Sequence, residues 1–212
     1  NPADLSYDTI AQRSVGSFPN GEGTHYTEPG IFGAIKLTDT QRFYPEPCDM
    51  NFATSDFSIT CKVKADLESR TEILRVGSIN NFRFFFKSTN TLDYSKEYNS
   101  IKTEATLDAN DMTASFMFFG ITYNQISEEL LFYYERNNEI ALEALTMPDF
   151  DKNRIYLFLY NNGVVYFSDV RIFDRVLTNE EINAIALQNT STIPDRGCDE
   201  SGPTQCPIAC PP

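Results

Sequence analysis

Tryptophan is missing from this chain, and histidine occurs once, as His25 in "GEGTHYTEPG". A single imidazole, read here as a solvated loop residue, leaves no Ser or Cys with a recognisable base and acid partner, so the sequence supplies no nucleophilic constellation. Positive charge is also scarce: 17 basic residues against 30 acidic ones give a formal net charge of −13. That field repels phosphate backbones and anionic lipid, so nucleic acid is not an expected partner. No run of apolar residues approaches the roughly 18 needed to span a bilayer as a helix, and direct membrane insertion is not expected. The opening "NPADLSYD" has neither a basic start nor an apolar leader, which fits a mature chain or an excised fragment. Helical periodicity is absent from nearly the whole length.

What the chain does have is phenylalanine and tyrosine. With 17 Phe and 11 Tyr in 212 residues, the aromatic content favours half-buried pleated surface, and a domain of this length buries roughly 70% of its unfolded surface. Most segments alternate with period two. "FSITCKVKA" puts Phe57, Ile59, Cys61, Val63 and Ala65 on one face, and Ser58, Thr60, Lys62 and Lys64 on the other, predicting a strand with one dry side. "NFRFFFK" alternates through Phe82, Phe84 and Phe86, and "IKTEATL" through Ile101, Thr103, Ala105 and Leu107. "ASFMFFGITYN" is apolar on both faces, as a central strand should be, and "ELLFYYER" and "EIALEAL" follow as strands. In "RIYLFLYNNGVVYFSDVRIF", Asn162-Gly163 separates two apolar runs and predicts a hairpin. Many short strands at steady spacing predict an all-β fold, a two-layer antiparallel β-sandwich of the jelly-roll type.

One stretch departs from this pattern. In "VLTNEEINAIA", Thr178 followed by Glu181 forms a capping box, and Ile182, Ile185 and Ala186 then recur at helical spacing. The spacing predicts one short C-terminal helix beginning after Thr178, with Leu177 as a hydrophobic staple on Ile182 or its neighbour.

Five cysteines are present: Cys48, Cys61, Cys198, Cys206 and Cys210. The last three fall in "GCDESGPTQCPIACPP", too rich in proline to build a core, so residues 191–212 read as the start of a disulfide-stapled segment in an oxidising, extracellular setting. All five are disulfide candidates. A Cys48–Cys61 bridge is one arrangement, and a bridge from either to the tail is its rival; the odd count points to a partner elsewhere. Asn189-Thr190-Ser191 is a glycosylation sequon placing Asn189 as a glycan acceptor. Domain organisation is therefore expected as a sandwich over 1–190 and the cysteine-rich segment beyond it.

Three stretches, in order, are similar to one known group. "EPGIFGAIKLTDTQRFYPEP" carries Gly30, Phe32, Gly33 and Ala34; "FSITCKVKAD" carries Phe57, Ile59, Val63 and Lys64; "FSDVRIFDRVLTNEEINAIA" carries an Asp-Val-Arg-Ile strand, an Arg-x-Leu link and a Thr-x-x-Glu-Ile helix. The chain resembles the laminin-G-like jelly-roll domains of the concanavalin A-like lectin/glucanase superfamily over about residues 5 to 187. Lys62 stands where that group usually has Trp. The resemblance implies a closing strand beside strands from the first part of the chain and a helix that plugs an edge of the sandwich.

It also implies a choice between hydrolysis and recognition. Glycoside hydrolysis needs two carboxylates flanking the scissile bond, and the group's Glu-x-Asp-x-Glu strand motif has no counterpart here. Glu135 and Glu139 have the right parity, but the Asn-Asn between them reads as a turn. Some relatives hold calcium at a sandwich rim, and a hard cation needs converging oxygens; Asp108, Asn110 and Asp111 in "LDANDM" are the candidate ligands for Ca²⁺, with Asp149, Asp151 and Asn153 a second acidic loop. Both also read as solvated turns. Tyr94, Tyr98, Tyr123 and Tyr160 are aromatic candidates for stacking on a sugar or for core packing. The expectation is a non-catalytic, extracellular or cell-surface recognition or adhesion domain, binding glycan or protein within a larger secreted protein. The alternative is a structural module of an extracellular assembly, tied to neighbouring modules or copies of itself by disulfides.

Overall fold

The computed structural model describes residues 7–8, 13–14, 16–17, 24–28, 31–38, 42–45, 55–66, 71–76, 81–88, 91–98, 101–109, 111, 113–137, 139–146, 155–158 and 164–187. Strands β1 (Tyr7–Asp8), β2 (Arg13–Ser14), β3 (Gly16–Ser17), β4 (Thr24–Glu28), β5 (Ile31–Thr38) and β6 (Arg42–Pro45) come first. They are followed by β7 (Phe57–Asp66), β8 (Thr71–Val76), β9 (Asn81–Ser88), β10 (Thr91–Tyr98) and β11 (Ile101–Asp108). Then come β12 (Met117–Asn124), β13 (Glu129–Arg136), β14 (Glu139–Thr146), β15 (Ile155–Phe158), β16 (Val164–Phe173) and the helix α1 (Asn179–Leu187). β1 and β2 pair separately; the other strands form two seven-stranded antiparallel sheets, ordered β11-β10-β9-β8-β15-β6-β3 and β14-β13-β12-β7-β16-β5-β4. The expected all-β sandwich with one short helix is what the chain forms, and the closing strand β16 lies between β7 and β5, as the resemblance implied.

Alternation builds the interior. Phe57, Ile59, Cys61, Val63 and Ala65 of β7 all turn inward and meet Phe82, Phe84, Leu74 and Val76 of the other sheet in one continuous cluster. Aromatic rings carry the contact between layers: Phe84 lies 4.5 Å from Phe119 and 5.1 Å from Phe132 in an edge-on arrangement. Such ring pairs add about 0.5–1.5 kcal/mol each beyond the area they bury.

Alternation breaks in both sheets, and two of the breaks, in β8 and in β16, carry an ion pair. In β8 the register shifts between Glu72 and Leu74, so Ile73 is an inserted residue. A regular strand would turn Glu72 and Arg75, three apart, to opposite faces; the bulge returns them to the same face, where the guanidinium donates to both carboxylate oxygens at 2.7 and 3.0 Å. In β16 the register shifts between Ser168 and Arg171, and Asp169 takes a left-handed φ of 52°. Val165 and Phe167 face the interior before this bulge, Val170 and Ile172 after it. Arg171 closes it by donating to both oxygens of Asp169 at 2.7 and 2.8 Å. The Asp-Val-Arg-Ile signature is thus a bulge with its own ionic staple.

The helix begins as its capping box predicts. Thr178 N–H donates to Glu181 Oε2 at 2.9 Å, Glu181 N–H returns to Thr178 Oγ1 at 3.3 Å, and Leu177 packs with Ile182 in one buried cluster. That cluster also holds Phe118 and Tyr133, with Leu131, Ile140 and Phe173 against it. The helix therefore lies on the outer face of the second sheet, across β12 and β13, rather than plugging a sandwich edge. The physical reason is in the sequence: Phe118 and Tyr133 give that face a second apolar stripe.

Three other expectations need correction. Ser58 and Thr60, expected on a wet face, are both 0% exposed. The link into the helix crosses above them, Ser58 Oγ–H donating to the Arg175 carbonyl at 2.7 Å and accepting from Leu177 N–H at 2.9 Å. The two apolar runs around Asn162-Gly163 do not pair as a hairpin: β15 joins β6 and β8 in one sheet while β16 joins β5 and β7 in the other. Both runs seek the same interior, but from opposite layers. His25, read as a loop residue, is in strand β4 opposite Ile35.

Candidate functional site

The outward face of the first sheet is the part of the surface whose chemistry core packing does not explain. Phe82, Phe84, Leu92 and Leu107 point inward, which turns Arg83, Phe85, Asp93, Ser95 and Thr106 outward. Strand register aligns them in two rows, Glu72–Phe85–Asp93–Thr106 and Arg75–Arg83–Ser95–Glu104, running across β8, β9, β10 and β11. On an outward face these groups are deeply placed: Glu72 is 1% exposed, Ser95 1%, Asp93 6% and Phe85 8%.

Buried charge is costly unless paired, and here it is paired. Glu72 has both oxygens engaged by Arg75, whose own side chain stays 23% exposed. Asp93 Oδ1 accepts from the exposed Thr106 hydroxyl at 2.6 Å. Sunken carboxylates therefore hold more exposed polar groups in fixed orientations, and Arg75 and Arg83 stand directly opposite one another on neighbouring strands. The arrangement is a preorganised donor surface with an aromatic ring set between its two carboxylates. It suits a polar ligand that offers hydroxyl and carboxylate oxygens.

A hydrolytic reading of the same face meets an obstacle. Glu72 and Asp93 are two strands apart, roughly 10 Å by strand spacing, near the upper limit for paired carboxylates that invert a glycosidic bond. A general acid, however, must be free to reach the leaving-group oxygen, and both oxygens of Glu72 are taken up by Arg75.

The residues singled out from the sequence are scattered differently. Asp111 spends Oδ1 on its own turn, accepting from Thr113 N–H and Thr113 Oγ1–H at 2.8 Å each and from Ala114 N–H at 3.3 Å. Asp108 ends β11 opposite Thr91, while Asn110, Asp149, Asp151 and Asn153 lie outside the described residues. Among the described residues no three His, Cys, Asp or Glu side chains gather as a metal site requires. Tyr123 is 2% exposed and stacks on Phe57 at 5.7 Å, and Tyr94 packs on Phe82 and Phe132, so both serve the core. Tyr98 lies in β10, and Tyr160 lies outside the described residues.

Glu135 and Glu139 flank the expected turn, with Asn137 at a left-handed φ of 53°; Glu135 Oε2 accepts from Phe118 N–H at 3.0 Å. Cys61 is a free thiol buried in the core. Burial, with the nearby Asp169 carboxylate, pushes it well above the ordinary cysteine range. Cys48, Cys198, Cys206, Cys210 and Asn189 lie outside the described residues.

No sequence pattern groups Glu72, Arg75, Arg83, Asp93, Ser95 and Thr106. Alternation in "NFRFFFK" does turn Arg83 outward, but the partners beside it depend on strand register and on the β8 bulge.

No protein-family model and no curated protein sequence matches this chain. Its architecture does match solved structures. The botulinum neurotoxin serotype G binding domain superposes with a TM-score of 0.57 at 15% identity, covering 81% of this chain and 46% of that one. The present chain thus spans about half the length of that binding domain. The Ruminococcus gnavus IT-sialidase CBM40, bound to alpha2,3 sialyllactose, superposes at 0.52 with 11% identity, over 78% of this chain and 96% of its own. A "Bifunctional GH43-CE" chain of Bacteroides eggerthii superposes at 0.58 with 14% identity, over 82% of this chain and 27% of that one. The shared feature is the β-sandwich fold.

Proposed function

We propose that this chain is a non-catalytic glycan-recognition domain of the laminin-G-like type, and that the outward face of β8–β11 is its sugar-binding surface. The observation that carries this reading is the set of sunken, mutually paired polar groups on a face whose described residues join neither hydrophobic cluster. Arg75, Arg83 and Thr106 are the groups proposed to touch ligand, with Glu72 and Asp93 orienting two of them. An acidic glycan is the favoured class. A guanidinium matches a carboxylate in two parallel hydrogen bonds, and the sialyllactose complex of a similarly folded protein supports the same chemistry. The engagement of both Glu72 oxygens by Arg75 supports the non-catalytic reading.

The setting belongs to the same proposal. The cysteine-rich 191–212 segment and the Asn189 sequon support a setting outside the cell or at its surface. Among the described residues no helix is long and apolar enough to cross a membrane.

A glycan array carrying sialylated and neutral oligosaccharides tests the reading. Binding to sialylated spots is expected, with at least about a tenfold loss on Arg83→Ala and an unchanged thermal melting curve to show that the fold survives. An inert array, or binding indifferent to Arg83→Ala and Arg75→Ala alike, overturns it. Release of free sugar from a bound oligosaccharide overturns the non-catalytic part.

A further inference from the structure

Among the described residues the two sheets have four outer edges, and three of them carry a feature that blocks further pairing. β3 is only two residues long. β4 has a register shift between Tyr26 and Glu28. β11 carries Lys102 within its strand. Short strands, bulges and edge lysines are the ordinary means by which a sheet refuses another strand. β14, the fourth edge, has none of them: its sequence is EIALEALT, it contains no Lys, Arg, Pro or Gly, and it pairs with β13 through all eight residues without a shift. Its surface is open, with Leu142 43% exposed and Glu139 and Ala144 also exposed.

The faces of β14 are chemically distinct. Ile140 packs toward the helix side, which places Leu142 and Ala144 on that side as well. Ala141 and Leu145 pack toward the interior, so Glu139 and Glu143 line the other side, and Glu143 acts on Tyr94 across the mouth of the sandwich. Nearby charge is mostly negative: Glu129, Glu135, Glu139 and Glu143 stand on the two last strands against Arg136.

This pattern discriminates between occupants. In a symmetric antiparallel pairing of two copies, an axis through Ala141 sets Glu139 directly opposite Glu143, and one through Glu143 sets that residue against itself. An axis through Ile140 or Leu142 leaves a glutamate diagonal to two others. Like charges so placed destabilise a sheet pair, and each copy brings a further net −13. A strand of opposite character meets no such opposition.

We propose that β14 is a docking edge for an extended segment of a partner polypeptide, added as an eighth strand, with Lys or Arg facing Glu139 and Glu143 and apolar residues facing Leu142. Backbone hydrogen bonds supply affinity and the two side-chain rows supply selection. The surface is separate from the sugar-binding face of β8–β11 and does not depend on that reading.

The test uses the full chain and two fluorescent, end-blocked decapeptides, one alternating lysine with valine and threonine, the other with glutamate in place of lysine. Saturable anisotropy is expected for the lysine peptide alone, weakened about tenfold by Glu139→Lys with Glu143→Lys, and bound peptide is expected to slow amide exchange along residues 139–146. Equal binding of both peptides, no saturation, or exchange protection elsewhere overturns the proposal. Concentration-dependent dimerisation of the peptide-free chain that protects 139–146 also overturns it, in favour of a second copy. Should the charge-reversed variant fail to fold, the exchange pattern of the wild-type chain with each peptide decides alone.

Discussion

Two hydroxyls on β7, two residues apart, show how differently equal burial weighs on stability. Ser58 bridges the Arg175 carbonyl and the Leu177 amide, while Thr60 Oγ1 has no hydrogen-bond partner, and both are 0% exposed. Ser58→Ala is expected to cost about 1–3 kcal/mol, since it strands a donor and an acceptor in the link to the helix. Thr60→Val keeps the shape and removes the unpaired oxygen, so it is expected to be neutral or stabilising by about 1 kcal/mol. Chemical denaturation of both variants checks the pair, and a loss for Thr60→Val equal to that of Ser58→Ala would refute the distinction. Glu181 adds a pH dependence. Hydrogen bonds from Arg175, then from the Thr178 amide, hold its carboxyl at about 2, below its ordinary 4.5. A depressed carboxyl stabilises the fold above its unfolded value and loses that contribution as pH falls. The melting advantage of the wild type over Glu181→Gln is therefore expected to be present at pH 7, to shrink below about pH 4.5 and to vanish near pH 2.

At the scale of elements, the bulges are the least replaceable parts. Flattening the β16 bulge without shortening the chain would turn Val170 and Ile172 out of the core and bring Arg171 into it, because a strand's faces alternate with period two. Asp169→Val, whose branched side chain resists the left-handed angle of 52°, is expected to lower the melting temperature sharply in calorimetry, whereas Asp169→Asn, which tolerates that angle, is expected to lower it less. This scale also divides what the sequence revealed from what it concealed. The helix start was legible to the residue, because Thr178, Glu181 and Leu177 interact with near neighbours. Strands β7, β9, β12, β13 and β14 were legible as alternations or apolar runs. The Asn162-Gly163 hairpin misled, since local turn chemistry carries no information about which layer each flanking run joins. The candidate site was concealed for a related reason: Arg75, Arg83, Asp93 and Thr106 become neighbours only through cross-strand register, and Glu72 joins Arg75 only through an inserted Ile73.

For the whole molecule, the interior depends on contacts between residues far apart in the chain. Phe84 of one sheet meets Phe119 and Phe132 of the other, and Phe84→Ala is expected to cost about 3–5 kcal/mol as the cavity it leaves adds to lost burial. Equilibrium urea titration measures this, and a cost under 1 kcal/mol would mean that the layers are not held together there. β7 pairs with β12 on one flank and with β16 on the other. Its two neighbours are therefore supplied by the middle and the end of the described chain, and neither sheet can be completed early.

The clasp that Ser58 makes with the link before the helix has a mechanical corollary. Tension applied at Leu187 reaches α1 before β16, and the nine-residue helix can peel from its sheet while the clasp still shields that strand. The domain would then lengthen by a few nanometres under load without opening its interior, in the manner of a shock absorber.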